Sequence, residues 1–453
     1  MTIGPPTGMR DWLPQDALLR QRLMETIGAV YRLYGYLPID TPAMEDLAVL
    51  LGKGGGENEK LLFKILKRGE KLVQAQESGD LADYGLRFDL TVPLARFVAT
   101  HQGRLPRVFR RYHIAPVWRA DRPQKGRFRE FYQCDIDVVG GASSAYECEI
   151  ITATERVLKE LNLGKYQFRL CDKRLLPLLL QGFGVPEEQI NPVAMLLDKL
   201  DKVGIVQVRS ELLSLLKPGS KASINVEKFF WAAHDERTHV TGRHAGVTML
   251  HAHLEKVNDS TIRTKIAGII AGLKTIMDAV LAINKDSSIL FDPILVRGLD
   301  YYTGPIYEAV AEGFPSAILG GGRYDGLIER FTGKTIPAIG CSIGFERILA
   351  IQQERASLRP LTEASRVLLV RDEIDIDQLN QRAEQLRNEG LCVETYLDQD
   401  ALGKQFKYAE AAGFRWAIRQ FDPTSSALTV RDLPSRQDRT VTLAEFKALL
   451  LGP

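Results

Sequence analysis

The 453-residue sequence contains few cysteines and no long apolar run. Five cysteines, an odd number without a CxxC pair, exclude a disulfide framework and a zinc knuckle. No segment reaches the roughly 18 consecutive apolar residues of a membrane span. Residues 1–14 hold no apolar stretch of signal-peptide length. We therefore predict a reduced, cytoplasmic protein that does not associate with membranes.

The composition itself is that of a globular chain, with 45% hydrophobic and 26% charged residues. It excludes disorder of the chain as a whole, and the length predicts about three domains. The formal net charge is only +2, but residues 104–130 carry nine Arg or Lys against two acids. Aromatic side chains are interspersed among these cations. The pattern is typical of a solvated face, or of a surface for a nucleotide or RNA.

The spacing of apolar residues predicts how the chain is organised. A helix is predicted over 15–35, a strand-rich region over 86–139, and helices from about 175 to 282, with strands again at 294–296 and 306–310. A proline-containing linker at 357–365 precedes a region in which strands and helices alternate. That alternation indicates a small separate α/β domain. Its predicted strands are 366–370, 392–397, 416–419 and 428–431, and its predicted helices are 376–388 and 405–412.

The most informative segment is 117–140, VWRADRPQKGRFREFYQCDIDVVG. From 129 to 139, strand alternation places Arg129, Phe131, Gln133, Asp135 and Asp137 on one face and mostly apolar residues on the other. This polar face is either solvated or the floor of a pocket, because burying such groups without partners costs free energy. The turn at 120–126 before it could close over a bound ligand.

The same segment resembles motif 2 of the class II aminoacyl-tRNA synthetases, and RPQKGRFREFYQ resembles the histidyl-tRNA synthetases in particular. Motif 1 would end at Pro42, and motif 3 would be IGCSIGFERIL at 339–349. VRGLDYYTG at 296–304 and LGGGRYDG at 319–326 resemble two histidine-specific motifs, and RFDLTV at 87–92 is a fifth match. Each motif alone has an ordinary explanation, such as a tight turn or a surface cation. Together they stand in the family's order.

The resemblance implies an α+β catalytic core on an antiparallel sheet, with a helical insertion and a C-terminal α/β domain. The core would comprise 1–174 and 286–356, the insertion 175–285, and the anticodon-binding-like domain 366–453. The implied activity is ATP-dependent attachment of histidine to tRNA(His) through a histidyl-adenylate, carried out by a homodimer. The alternative is a histidine-sensing regulatory subunit of ATP phosphoribosyltransferase. Such proteins typically lack the C-terminal domain that this chain has.

The resemblance also implies roles for individual residues. Arg119 and Arg297 would be catalytic, both acting at the α-phosphate of ATP. The implied cofactor is Mg²⁺ with ATP, without zinc and without a dedicated protein metal cluster. Histidine would be bound by Asp89, Thr91, Gln133, Asp137, Tyr301 and Tyr302. ATP would be bound by Arg119, Arg127, Phe131 and Arg347. The acceptor end of the tRNA would be bound by Arg122, Gln124 and Lys125.

Overall fold

The computed structural model describes residues 3–51, 57–123, 127–239, 245–296, 301–314, 316–354 and 366–451. The chain forms two compact units. The larger unit comprises Met1–Asp11 and Arg20–Glu354, and the smaller comprises Trp12–Leu19 and Arg355–Pro453.

Helices and strands account for most of the described chain. The α-helices are α1 (Pro14–Leu33), α2 (Leu47–Leu51), α3 (Glu70–Ser78), α4 (Thr91–His101), α5 (Ala145–Glu160), α6 (Leu175–Gly182), α7 (Glu187–Asp198), α8 (Leu200–Val203), α9 (Ile205–Leu215), α10 (Lys221–His239), α11 (Ala245–Leu254), α12 (Ser260–Ile283), α13 (Asp325–Thr332), α14 (Phe345–Glu354), α15 (Ile376–Asn388), α16 (Leu402–Ala411) and α17 (Leu443–Leu451). The strands are β1 (Leu37–Pro38), β2 (Met44–Asp46), β3 (Lys64–Leu66), β4 (Ala82–Leu86), β5 (Phe109–Trp118), β6 (Glu130–Val139), β7 (Tyr166–Asp172), β8 (Ile289–Phe291), β9 (Pro305–Ala311), β10 (Ala317–Arg323), β11 (Ala338–Gly344), β12 (Arg366–Leu369), β13 (Cys392–Thr395), β14 (Trp416–Asp422), β15 (Ala427–Asp432) and β16 (Gln437–Thr442).

The larger unit is built on an eight-stranded sheet in the order β1-β5-β6-β11-β10-β9-β7-β8. The two outermost pairs are parallel, and the pairs between them are antiparallel. The strand predicted at 129–139 is β6, and its apolar side chains Cys134, Ile136 and Val138 are fully buried. Helices α5 and α14 pack on this strand. The predicted antiparallel core is confirmed.

Every element described between Leu175 and Ile283 is a helix, from α6 to α12. One of them, α12, is by length and composition apolar enough to cross a membrane. Its buried residues, such as Ile266, Leu273 and Val280, follow helical spacing, and the helix packs on α5 and α6. Its remaining surface carries charges, including Arg263 and Lys274. That distribution is typical of an amphipathic core helix.

The smaller unit contains a five-stranded sheet in the order β13-β12-β14-β15-β16. Its first three strands are parallel and the last two are antiparallel, as expected for an α/β domain with an added hairpin. Helix α15 has the bounds predicted from the sequence. The sequence reasoning missed β16 and α17, because β16 is an almost entirely exposed edge strand without apolar alternation.

Two local predictions in the core differ from the structure. The region predicted as strand-rich, 86–139, contains β5 and β6 but also the helix α4. The carboxylate of Asp89 starts this helix by accepting a hydrogen bond from the Val92 backbone N–H at 3.0 Å. The strand predicted at 294–296 is a turn, because the carboxylate of Asp292 accepts from the backbone N–H of Ile294 at 3.2 Å. The strand is β8, five residues earlier.

Candidate active site

A cavity of about 390 Å³ opens over the central strands of the large sheet. Strands β6, β9, β10 and β11 supply its floor and sides, and the first turn of α14 closes one end. The predicted site residues in its wall are Thr91, Arg119, Arg127, Phe131, Gln133, Asp137, Tyr301, Tyr302 and Arg347. Most of the polar face predicted on β6 is therefore the floor of a pocket.

The other predicted residues are placed differently. Asp89 is fully buried behind the wall, at the start of α4. Arg122 is exposed at the end of the described part of the motif 2 turn and does not line the cavity. Arg297, Gln124 and Lys125 lie outside the described residues.

Strand register places Asp137 on β6 between two partners. Arg111 on β5 is opposite it on one side, and Gly340 on β11 is opposite on the other. A Cβ atom on Gly340 would lie 1.9 Å from Oδ1 of Asp137. The glycine of motif 3 is therefore required here, because any side chain would occupy the place of the carboxylate.

The carboxylate of Asp137 is held by two buried groups. Nη2 of Arg111 lies 2.8 Å from its Oδ2, and the Tyr324 hydroxyl donates to its Oδ1. Arg111 is fully buried, and Asp137 is only 2% exposed. Burial raises the pKa of Asp137, while the charge of Arg111 and the hydrogen bond from Tyr324 oppose that rise. The carboxylate is thus fixed in place by its neighbours on the protein side of the pocket.

A second and a third carboxylate lie close by. Asp135 is 3.9 Å from Nη2 of Arg111, and burial raises its pKa to about 7. Burial also raises the pKa of Asp89 to about 6, although the Val92 N–H and the charge of Arg119 oppose this. His113, opposite Asp135 on β5, has its pKa lowered to about 3 by burial and by Arg111. The floor therefore has an excess of carboxylates, which suits a ligand that brings positive charge or N–H donors.

Several buried polar atoms in the floor or directly behind it have no hydrogen-bond partner within the described part of the chain. Among them are Oδ2 of Asp89, Oε1 of Gln133, and Nε and Nη1 of Arg111. The amide nitrogen of Gln133 donates to the Ser342 hydroxyl at 2.9 Å, which aligns the side chain. Unpaired buried polar groups are uncommon, so their concentration here points to a polar ligand.

Two adjacent tyrosines close the floor. The rings of Tyr301 and Tyr302 meet edge to face with centroids 5.1 Å apart, and Tyr301 also contacts the ring of Tyr324 at 5.8 Å. Burial raises the pKa of both hydroxyls, so each stays a neutral phenol that can donate and accept.

The opposite end of the cavity is aromatic and cationic. The guanidinium carbon of Arg119 lies 5.1 Å from the centroid of the Phe131 ring, and its Nε donates to the Phe88 carbonyl at 2.9 Å. Arg347 stands in the first turn of α14 and donates to the Ala317 carbonyl. Arg127 has a half-exposed side chain 3.9 Å from Asp121. A flat ring next to one cation, in a cavity that two further cations and a helix N-terminus also line, is suited to a base and its phosphates.

Sequence reasoning gave no role to three residues of the floor. Arg111 was one cation within the basic stretch, Asp135 one member of the polar face of β6, and Tyr324 part of the glycine motif. Arg111 is flanked in the sequence by Arg110 and Tyr112, so no local pattern distinguishes it from the other cations of the stretch. Its pairing with Asp137 depends on strand register, which the sequence does not reveal.

The family model for histidyl-tRNA synthetase matches residues 8–348. The chain belongs to the histidyl-tRNA synthetase family. A second model, for the anticodon binding domain, matches residues 364–452. A histidine–tRNA ligase of Leifsonia xyli is 40% identical over 438 residues, which cover 95% of this chain and 98% of that protein.

Solved structures agree on the fold. The histidyl-tRNA synthetase of Nostoc superposes with a TM-score of 0.81 at 28% identity, covering 99% of both chains. A Bacillus halodurans protein described as an ATP phosphoribosyltransferase regulatory subunit/histidyl-tRNA synthetase has a TM-score of 0.71 at 19% identity, covering 90% of this chain and 97% of that one. That second likeness shows a shared fold alone. The predicted family and fold class are confirmed, and the predicted ligase is favoured over the regulatory subunit.

Proposed function

We propose that this chain attaches histidine to tRNA(His) in two steps, through a histidyl-adenylate. The observation that supports this most is that a single cavity is lined by carboxylates in one part and by cations and an aromatic ring in another. The carboxylate floor around Asp137 is suited to histidine, and the end around Arg119 and Phe131 is suited to ATP. A substrate carboxylate between them would lie beside the ATP α-phosphorus.

In this proposal the imidazole of histidine lies against Asp137 and Tyr302, and its amino group lies towards Thr91 and Gln133. Asp89 acts from behind, through the start of α4. A site built to pair with polar ring nitrogens rejects apolar side chains strongly, because its buried groups would then lose their partners. Tyr301 supports Tyr302 through the edge-to-face contact.

At the other end, adenine stacks on Phe131, with Arg347 on its second face. Arg119 holds the α-phosphate and the histidine carboxylate, and Arg297 stabilises the charge that develops at phosphorus. Arg127, half exposed, reaches the outer phosphates. The histidine carboxylate attacks the α-phosphorus and pyrophosphate leaves, so the residues act by positioning and charge stabilisation.

Mg²⁺ would neutralise charge on the phosphates. Within the described residues, no group of three or more His, Cys, Asp or Glu could hold a metal by itself. Asp121 and Glu308 line the cavity and supply oxygen donors. This fits Mg²⁺, which is usually held by one or two carboxylates together with substrate phosphates.

For tRNA, we propose that the motif 2 turn with Arg122, Gln124 and Lys125 meets the acceptor end. The smaller unit would bind the anticodon, as its family match suggests. Arg122 and Lys125 offer charge to phosphates, whereas the amide of Gln124 can pair with a base edge. We expect Gln124→Ala to leave adenylate formation unchanged and to reduce discrimination for an extra 5′ guanylate on the tRNA.

We further propose a cytoplasmic homodimer with motif 1 at its interface. Leu33 and Leu37, beside that motif, are 68% and 65% exposed in the single chain. Exposed large apolar side chains of this kind are typical of subunit contacts. Light scattering that showed a stable, active monomer at micromolar concentration would contradict this part of the proposal.

The decisive experiment for the reaction is ATP–pyrophosphate exchange with each of the twenty amino acids in turn. We expect exchange with histidine alone. The Arg297→Ala variant should exchange about 10²–10³-fold more slowly, since it loses one charge contact to the transition state. Histidine binding without exchange by the wild type would instead favour the regulatory subunit.

A further inference from the structure

The N-terminal segment 7–10 lies directly on the strand that leads into the cavity. The backbone N–H of Arg129 donates to the Gly8 carbonyl at 2.8 Å. Gly8 has φ +86°, and a Cβ there would lie 2.9 Å from side-chain carbons of both Arg129 and Pro123. The close fit means that this segment and the base of the motif 2 turn are packed as one piece.

Arg10, two residues further along, contacts two residues of the cavity wall. Its guanidinium carbon lies 3.4 Å from the centroid of the Phe128 ring, and its Nη2 donates to Oε2 of Glu346 at 2.5 Å. Phe128 lies at the end of the motif 2 turn, and Glu346 lies beside Arg347 in the first turn of α14. One side chain therefore joins the two sides of the nucleotide end of the cavity.

The buried carboxylate of Glu346 has other partners besides Arg10. Nη1 of the buried Arg20 lies 3.1 Å from Oε1, and the Tyr132 backbone N–H donates to the same oxygen at 3.4 Å. Loss of Arg10 would therefore not leave an uncompensated buried charge, which is the usual cause of severe destabilisation in such pairs. The side chain of Arg10 is 32% exposed, at the rim of the site. Its removal should change local geometry more than overall stability.

We propose that Arg10 is a positioning residue for the nucleotide end of the cavity. By stacking on Phe128 and pairing with Glu346, it holds the returning strand and the start of α14 at a fixed separation. Phe131 and Arg347 are then already positioned, before ATP binds, to contact the two faces of its purine ring. Groups that are ordered in advance cost the ligand less binding free energy. The inference rests on the proposed function, because it assigns the purine of ATP to this end.

The test measures KM for ATP and KM for histidine separately in pyrophosphate exchange. Arg10→Met keeps the length of the side chain and removes the guanidinium; we expect it to raise the ATP KM about tenfold. The histidine KM and the melting temperature should stay close to the wild-type values. Arg10→Lys should rescue only partly, since an ammonium can pair with Glu346 but has no plane to stack on Phe128. Arg156→Met, which removes an exposed cation paired with Glu160, is the matched control.

Phe128→Leu adds an independent test. If Arg10 acts through this ring, Phe128→Leu raises the ATP KM by itself. The free-energy effect of the double variant on the ATP KM should then be measurably smaller than the sum of the two single effects. Equal increases in both KM values with a lower melting temperature would show a merely structural role and overturn the proposal. An unchanged ATP KM in Arg10→Met would overturn it as well.

Calorimetric titration of ATP into wild type and Arg10→Met separates this inference from the proposed function. Weaker ATP binding by the variant supports the positioning role even if the wild type shows no exchange. Equal ATP affinity in the two proteins refutes the role of Arg10. The proposed function would not be affected by that result, because it is tested by pyrophosphate exchange with the wild type.

Discussion

The floor and the rim of the cavity differ in what holds their side chains in place. On the floor, Arg111, Asp135 and Asp137 are all at most 2% exposed and are fixed by strand register. On the rim, Arg10 and Arg127 have side chains 32% and 48% exposed. Arg10 is held by contacts with two separate segments, and Arg127 lies 3.9 Å from Asp121 within the motif 2 turn. A floor of this kind cannot rearrange to accept a wrong ligand, whereas the rim can be adjusted by single side chains. We infer that the floor provides selection and the rim provides positioning.

The strongest test of that contrast is Asp137→Asn on the floor. The change removes the charge that compensates Arg111 and replaces one of the two acceptor oxygens by an NH2 donor. We expect the histidine KM in pyrophosphate exchange to rise on the order of 100-fold, because the site is left with unpaired buried groups. The ATP KM should change far less.

Asp137→Glu serves as the control, since it retains a carboxylate at a small cost in packing. Circular dichroism of both variants establishes that the fold persists. If Asp137→Asn left the histidine KM unchanged, the floor would have no role in histidine recognition. The proposed difference between floor and rim would then be wrong.

A smaller effect is expected for Phe131→Leu, at the nucleotide end of the cavity beside that rim. Stacking of a base on an aromatic ring contributes about 1–3 kcal/mol, so the ATP KM should rise about tenfold while the histidine KM stays constant. Phe97→Leu is the control, because the Phe97 ring packs on Phe109 and His101 outside the cavity wall. If Phe131→Leu changed the histidine KM as strongly as the ATP KM, floor and rim would not be separable.

Much of the fold was predictable, because periodicity is a local property of the sequence. Helix α15 and strands β6 and β9 lie close to where the apolar pattern puts them. Helix α4 was missed, since its start depends on the Asp89 carboxylate rather than on apolar spacing. Strand β16 was missed because an exposed edge strand needs no apolar alternation.

For the site, the sequence predicted which residues face the cavity but not what holds them. Phe131, Gln133 and Asp137 follow from alternation along one strand, and the structure places all three in the wall. Their partners come from other strands: Arg111 from β5 and Ser342 from β11. Such pairs depend on register between strands distant in sequence, so only the folded chain reveals them.

The last expected effect concerns the pH dependence of stability, through Asp135. Burial raises its pKa to about 7, whereas in the unfolded chain an Asp titrates near 3.9. Between about pH 4 and pH 7 the folded protein therefore binds a proton that the unfolded chain has lost. The contribution of Asp135 to stability decreases as the pH rises through that window and is constant above it. Asp135→Asn, which cannot ionise, should lack this decrease.

The measurement is the free energy of unfolding in urea at pH 5 and pH 8, for wild type, Asp135→Asn and the exposed control Asp398→Asn. His113 opposes the effect, because its pKa is lowered to about 3 and its contribution to stability increases as the pH rises from there towards 6.5. The difference between variant and wild type cancels that contribution as long as His113 titrates alike in both. We expect this difference to shift in favour of Asp135→Asn at pH 8 and to stay constant for Asp398→Asn. A difference that is equal at both pH values would mean that Asp135 is already ionised at pH 5, so that the floor would carry its full negative charge before any ligand binds.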